Sequence, residues 1–221
     1  MQRPAFQNSV LFEQAMTHRS HANENMSLIH NERLEFLGDA VLNFLSGEYL
    51  YKRYPDQPEG ILTPLRAALV DETQLAKFAI ALELEIALRL GKGAEQEGGR
   101  QNANLLSSAF EALIGAYFLD NHSRIEPVRD YVIPLFDSVI DSLVVSASRV
   151  NVKSRFQEWA LKELGEVPRY TIIKEHGPDH AKEFTAEVKV KLKAYGTGTG
   201  RRKQDAEKQA AEDALRNIGC L

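Results

Sequence analysis

The sequence has little cysteine and no long apolar run. Its 221 residues contain one cysteine, Cys220, which excludes a disulfide framework and fits a reducing compartment. No run of about 18 apolar residues predicts a membrane span, and the N-terminal residues lack the cationic and apolar pattern of a secretion signal. The composition, 43% hydrophobic and 26% charged, is typical of a globular protein. We therefore expect a cytoplasmic protein of one or two domains with no membrane partner.

The two halves of the chain differ in charge. Residues 1–148 contain 12 Lys and Arg against 20 Asp and Glu, whereas residues 149–221 contain 15 against 11. An acidic half joined to a basic half predicts two modules with different partners. The basic half is the candidate for binding nucleic acid.

Helical periodicity dominates the first 145 residues, and the pattern changes after them. The predicted elements of the first part are helices over 8–17, 32–54, 104–119 and 124–145, two more helices within 60–90, a glycine-rich loop at 91–99 and a polar linker at 146–151. Those of the second part are a helix over 152–164, strands over 169–175 and 184–192, a glycine-rich turn or kinked edge at 196–200, and a helix over 202–218. We predict an all-α domain, residues 1–146, followed by a small α+β domain of order α-β-β-β-α, residues 150–221.

One predicted helix carries an acidic face. Glu32, Glu35 and Asp39 are spaced i, i+3, i+7 on a helix whose other positions are largely apolar. A helix that is apolar nearly all round is expected to be buried. Carboxylates there repel one another and lose hydration unless a cation holds them, and Glu111 lies inside a second apolar helix. The four acids predict a site for a hard divalent cation, Mg²⁺ first and Mn²⁺ second.

A structural interpretation of the same acids stays open. Glu32 and Glu35 would complement the helix dipole after an Asn31 cap, and Asp39 would pair with an arginine. The glycines of 91–99 do not follow a strand of a βαβ unit, so we expect no nucleotide cofactor.

The stretch Glu32-Arg33-Leu34-Glu35-Phe36-Leu37-Gly38-Asp39-Ala40 resembles the signature of the bacterial ribonuclease III family. Thr17-His18-Arg19-Ser20 and Glu111-Ala112-Leu113-Ile114-Gly115-Ala116 resemble its neighbouring blocks. The resemblance covers essentially the whole chain and implies an all-α catalytic domain followed by a double-stranded-RNA-binding domain. It implies a homodimeric, Mg²⁺-dependent endonuclease that hydrolyses phosphodiester bonds in double-stranded RNA and leaves 5′-phosphate and 3′-hydroxyl ends. The implied substrates are rRNA precursors and structured mRNA and tRNA precursors.

The resemblance implies roles for individual residues of the first domain. Glu35, Asp39 and Glu111 match metal positions, and Asp39 and Glu111 are the expected catalytic acids. The other matches are the accessory positions Glu32, Arg33 and Glu59 and the dimer-contact aromatic Phe36.

One departure from the family pattern lies beside Glu111. The family usually has Ala-Asp-x-x-Glu, with the aspartate as a metal ligand, and here Ser108 stands at the aspartate position. A hydroxyl is neutral and a weaker ligand than a carboxylate. We expect weakened or altered metal dependence with activity retained. The alternative is a catalytically impaired RNA-binding regulator; a third reading, an acidic hydrolase of nucleotides, leaves the basic domain unexplained.

The resemblance also implies three RNA contact regions in the basic domain, which would bind a duplex mostly by its shape. The first is the helix face at Gln157 and Glu158, and the second is the loop 177–180 with His180.

The third region is the start of the last helix, where lysines and the helix dipole would meet phosphates. Lys203 fits the first member of a family basic pair, and Gln204 replaces the second. We expect Arg201, Arg202 and Lys208 to supply the missing charge.

Overall fold

A computed structural model describes residues 2–25, 28–150, 152–178 and 182–220, without the side chains of 146–150. The chain forms two compact units, Met1–Val144 and Val145–Leu221. Domain boundaries at 1–146 and 150–221 stay a prediction. No helix in the described part of the chain is both long and apolar enough to cross a bilayer.

The described N-terminal part of the chain is built of helices, as predicted, with one isolated parallel bridge between Thr17 and Arg89. Its helices are α1 (Ser9–Ala15), α2 (Arg19–Glu24), α3 (Glu32–Arg53), α4 (Glu59–Leu69), α5 (Glu72–Ala81), α6 (Leu84–Ala87), α7 (Lys92–Gln96), α8 (Ala103–Asp120), α9 (Ile125–Asp137) and α10 (Ile140–Val150), with a 3₁₀ turn at Gly99–Gln101.

Three segment predictions in this part are wrong. The presumed loop 91–99 contains α7, because the Arg100 guanidinium pairs with Glu95 and donates to the carbonyl oxygen of Leu88, which fixes the segment. The presumed single helix 124–145 is two helices. The Ser138 hydroxyl donates to the Leu135 carbonyl oxygen at 2.6 Å where the first one ends, a side-chain bond that competes with helix continuation. The presumed linker is helical up to Val150.

Helix α3 is also less buried than its apolar composition predicted. Leu42 and Leu45 are fully buried, but Phe36, Phe44 and Tyr51 are 79%, 56% and 75% exposed. The helix therefore has one apolar face in the core and a second apolar face at the surface of the single chain. An exposed apolar face of this kind is typical of an interaction surface.

The C-terminal part has the predicted order α-β-β-β-α. Its elements are α11 (Val152–Leu164), β1 (Arg169–His176), β2 (Glu183–Val190), β3 (Lys193–Gly200) and α12 (Lys203–Asn217). The strands form an antiparallel sheet of order β1-β2-β3. Ala186, Val188 and Val190 of β2 are buried in the core, but Leu192, the last residue of the predicted strand 184–192, is 97% exposed because β2 ends before it.

The glycine-rich segment 196–200 lies in β3, an edge strand of the sheet, so of the two predicted alternatives the turn is wrong. Gly196 and Gly198 face α12 so closely that a Cβ on either would clash with the backbone of Ala210 or Ala214. Glycine on alternate strand residues thus matches alanine on every fourth helix residue. The sheet packs its third strand directly on the helix backbone.

Candidate active site

The site is built where α3 crosses α8. A Cβ at Gly38 would clash with the carbonyl oxygen of Glu111, and a Cβ at Gly115 would clash with that of Leu34. The two glycines therefore let the helix backbones touch. This crossing brings the acids that follow Leu34 on α3 beside Glu111 on α8.

A cavity of about 520 Å³ opens at this crossing. It collects Glu32, Glu35 and Asp39 from α3 and Ser108 and Glu111 from α8. The remaining lining residues are His18, Arg19, Asn31, Phe36, Asn104 and Leu105. The structure therefore brings the predicted acids of both helices to one site, together with the serine.

Hydrogen bonds orient two of the acids. The Ser108 hydroxyl donates to Oε1 of Glu35 at 2.9 Å. Asn43, one turn beyond Asp39, donates from Nδ2 to Oδ1 of Asp39 at 2.7 Å. Asn43 is not among the residues predicted from the sequence, although its i+4 spacing from Asp39 indicates such a contact. The alternative structural interpretation supposed an arginine as the partner of Asp39, where the structure has this amide.

The acids interact electrostatically. Burial, followed by the charges of Asp39 and Glu35, raises the pKa of Glu111 to about 7. Desolvation and like charge both disfavour the ionised form of this carboxyl group, and a bound cation would stabilise that form.

The donors fit a hard divalent cation in their chemistry, because they are carboxylate and hydroxyl oxygens around one cavity. Within the described ranges, however, no group of three or more His, Cys, Asp or Glu side chains is arranged to hold a metal ion. Two of the acids point toward Ser108 and Asn43 instead. The acids have the right identity and share one cavity, and their side chains would have to turn toward an ion.

Glu32 lies at the rim of the cavity. Its carboxylate oxygens are 3.5 Å from Nη1 of Arg19 and 3.7 Å from Nδ1 of His30. Asn31 is buried and makes no side-chain cap bond to α3; its Nδ2 donates to the Ala15 carbonyl oxygen at 3.2 Å. Asn31 is thus the N-cap residue of α3, as the structural interpretation supposed, but its amide ties α1 to α3 and makes no cap bond.

His18 has a structural position. It is the N-cap of α2, and its Nδ1 accepts the backbone N–H of Ser20 at 3.2 Å. Burial is the main cause that lowers the pKa of His18, followed by the charge of Arg19.

The accessory positions do not all reach the cavity. Arg33 is exposed on α3 and is not among the lining residues. Glu59 lines a second pocket of about 390 Å³ and accepts the Thr63 hydroxyl at 2.6 Å. Phe36 lines the acidic cavity with its ring largely exposed.

The predicted RNA contacts of the C-terminal unit lie at its surface. Gln157 and Glu158 are exposed on α11, while the neighbouring Phe156 and Trp159 stack with ring centroids 5.6 Å apart in and against the core. His180 lies outside the described residues. The basic side chains near the start of α12 are Arg201, Arg202 and Lys203, all exposed, and Lys208, half-buried.

Comparison with known proteins identifies the family. Residues 8–126 match the family described as Ribonuclease-III-like, and residues 152–218 match the double-stranded RNA binding motif. The chain is 57% identical to "Ribonuclease 3 1" of Nostoc sp. over 215 residues, which cover 96% of this chain and 94% of that one. The chain belongs to the ribonuclease III family. It is an endoribonuclease with an RNA-binding module.

Other members of the ribonuclease III family extend this comparison. Ribonuclease 3 of Desulforamulus reducens is 45% identical, over 96% of this chain and 86% of its own. A solved nuclease domain of ribonuclease III from Campylobacter jejuni is 38% identical with a TM-score of 0.56, and covers 61% of this chain and 90% of its own; its description names a region involved in dimer formation. Dicer from Pichia stipitis is 26% identical with a TM-score of 0.53 over 96% of both chains.

Proposed function

We propose that this ribonuclease III uses a divalent cation to hydrolyse phosphodiester bonds in double-stranded RNA, leaving 5′-phosphate and 3′-hydroxyl ends. The observation that carries the proposal is the cavity where α3 and α8 cross, which collects Glu35, Asp39 and Glu111. Carboxylate oxygens at a concave site suit Mg²⁺, with Mn²⁺ as a substitute.

Each acid would have a definite part. Glu35, Asp39 and Glu111 would hold the cation, which when bound neutralises charge on the phosphate and makes water a stronger nucleophile. The amide of Asn43 orients the Asp39 carboxylate, and the hydroxyl of Ser108 orients that of Glu35. Arg19, at the rim beside Glu32, would meet a phosphate of the substrate.

The RNA-binding module would supply duplex affinity through three regions. These are Gln157 and Glu158 on α11, His180 of the predicted contact loop 177–180, and the basic start of α12. Such modules contact ribose hydroxyls and phosphates with little sequence preference. We infer that the substrates are structured cytoplasmic RNAs, namely rRNA, mRNA and tRNA precursors.

We also propose that the enzyme is a homodimer. Phe36, Phe44 and Tyr51 form an exposed apolar stripe along α3. Phe36, the first residue of this stripe, lines the acidic cavity. A second subunit packed on the stripe would therefore complete the wall of each site. Exposed apolar surface of this kind is costly for a monomer.

A second function is favoured by Ser108 alone. If a hydroxyl in place of a carboxylate leaves the cation too weakly held, the protein would bind duplex RNA without cutting it. One experiment separates the two functions: incubate a labelled RNA duplex with the protein, with Mg²⁺ or with a chelator, beside Glu111→Gln as a control. We expect short duplexes only with wild type and Mg²⁺. Retarded but intact duplex under both conditions would favour the regulator.

A further inference from the structure

Lys203, at the start of α12, is held by two residues of the β1–β2 pair. Its Nζ lies 3.2 Å from Oε1 of Glu175 on β1. The same Nζ lies 5.4 Å from the centroid of the Phe184 ring on β2. Glu175 and Phe184 are direct cross-strand partners, so the carboxylate and the ring are side by side against one ammonium group.

This ion pair is accessible to a competing anion. The Lys203 and Glu175 side chains are 59% and 44% exposed, and exposed pairs of this kind are weak. The N-cap residue Arg202 makes no side-chain cap bond, so the first turn of α12 stays open. A phosphate arriving at this turn would have to displace the Glu175 carboxylate from Lys203.

We propose that Glu175 competes with RNA phosphate for Lys203 and thereby sets the duplex affinity of this protein. The inference rests on the proposed binding of double-stranded RNA and names a residue that regulates it. In the free protein the carboxylate already neutralises Lys203, so the lysine contributes less to affinity than a free cation would. After displacement the carboxylate remains beside the phosphate and repels it.

The sequence around Lys203 makes this competition consequential. Its neighbour is Gln204, which carries no charge, and the first turn of the helix also contains Asp205. Lys203 is therefore the lysine of this turn, and neutralising it removes one of the three adjacent positive charges of Arg201, Arg202 and Lys203. The wild-type protein is expected to bind duplexes more weakly than its count of basic residues indicates.

The test measures binding by the full chain in a chelator, so that no cleavage occurs. The probe is a labelled RNA duplex of about 20 bp, longer than the roughly 16 bp that such a module spans. Glu175→Gln is compared with wild type at several salt concentrations. The matched control is Glu212→Gln, which removes the same charge from an exposed pair with Arg216 on α12.

Glu175→Gln is expected to bind about 3- to 10-fold more tightly than wild type, with a slope of log affinity against log salt that is steeper by about 0.9. Glu212→Gln is expected to change affinity less than about twofold. In a Lys203→Gln background the Glu175 substitution should give no gain, because the two residues act on one contact.

Two results would overturn the inference while wild type still binds the duplex: equal effects of Glu175→Gln and Glu212→Gln, or a gain that persists without Lys203. Failure of the wild-type protein to bind any duplex would instead refute the proposed function. Thermal unfolding of all variants checks that the fold is retained.

Discussion

The Ser108 hydroxyl on α8 donates a hydrogen bond of 2.9 Å to Oε1 of Glu35 on α3. The bond joins the two helices at the wall of the acidic cavity, and it directs one oxygen of Glu35 toward a neutral partner. A carboxylate at position 108 could not donate this bond and would add a negative charge. Ser108 therefore changes both the charge of the site and the orientation of Glu35.

Replacing Ser108 by aspartate is expected to strengthen cation binding. The added carboxylate is a better ligand for Mg²⁺ than a hydroxyl, and we expect about tenfold tighter binding by calorimetry, with half-maximal cleavage at lower Mg²⁺. Ser108→Ala is the matched control, since it removes the hydrogen bond without adding charge. If wild type and Ser108→Asp had the same Mg²⁺ and Mn²⁺ curves, the hydroxyl would not limit metal binding.

Replacing Glu111 by glutamine is expected to stabilise the metal-free protein while abolishing cleavage. Because the pKa of Glu111 is raised to about 7 in the fold, its ionised form disfavours folding above that pH, and the effect fades as pH falls toward the ordinary glutamate pKa. After allowance for solvent screening we expect a gain of about 1 kcal/mol at pH 8.

Urea unfolding in a chelator at pH 8 and pH 5.5 measures this gain. Glu97→Gln, at an exposed position, controls for the loss of charge alone. A gain of the same size at both pH values would show that burial and neighbouring charges do not destabilise the ionised Glu111 carboxylate.

The sequence alone was sufficient to predict the order of elements and to select acids that the structure brings to one cavity. The i, i+3, i+7 spacing placed Glu35 and Asp39 on one face, and strict alternation located β2. It was insufficient where a partner element decides the structure. The alternating glycines of β3 are typical of a turn, and only their close packing on α12 explains them as a strand. Asn31 is a residue whose side chain commonly caps a helix, but here its amide donates to the Ala15 carbonyl oxygen.

The stability of the nuclease unit is expected to depend on the protonation of His18. Its Nδ1 caps α2 by accepting the Ser20 N–H, and a protonated ring cannot accept. Since its pKa is lowered in the fold, stability should be independent of this group above pH 6.5 and fall as pH drops below that value. Arg19 and His30 oppose protonation, and Glu32 favours it.

Thermal unfolding of His18→Asn and His18→Ala between pH 8 and pH 5 measures this contribution. Asparagine is a good N-cap that does not titrate, so this variant should lose less stability than wild type on acidification. Alanine should cost about 1 kcal/mol at pH 8. Parallel pH profiles for wild type and His18→Asn would exclude His18 as the source of the loss of stability at low pH.

Adding one methyl group at Gly198 is expected to unfold or strongly destabilise the RNA-binding unit. The new Cβ would clash with the backbone N of Ala210, and neither the strand nor the helix backbone can move without losing the core between them. Gly198→Ala should cost about 3 kcal/mol and reduce duplex binding. Thr197→Ala, at an exposed position of the same strand, is the control and should behave like wild type in thermal unfolding.

Truncating Phe36 is expected to weaken self-association and cleavage together. The ring is 79% exposed in the single chain while it lines the acidic cavity, so burial against a second copy would stabilise a dimer and enclose the site. Sedimentation of Phe36→Ala should show dissociation at about tenfold higher concentration than wild type, which corresponds to about 1.4 kcal/mol.

Ile86→Ala, at a position on α6 that is 71% exposed, is the matched control. Equal sedimentation of wild type and Phe36→Ala would place the contact elsewhere. Reduced cleavage without dissociation would assign the ring to RNA instead.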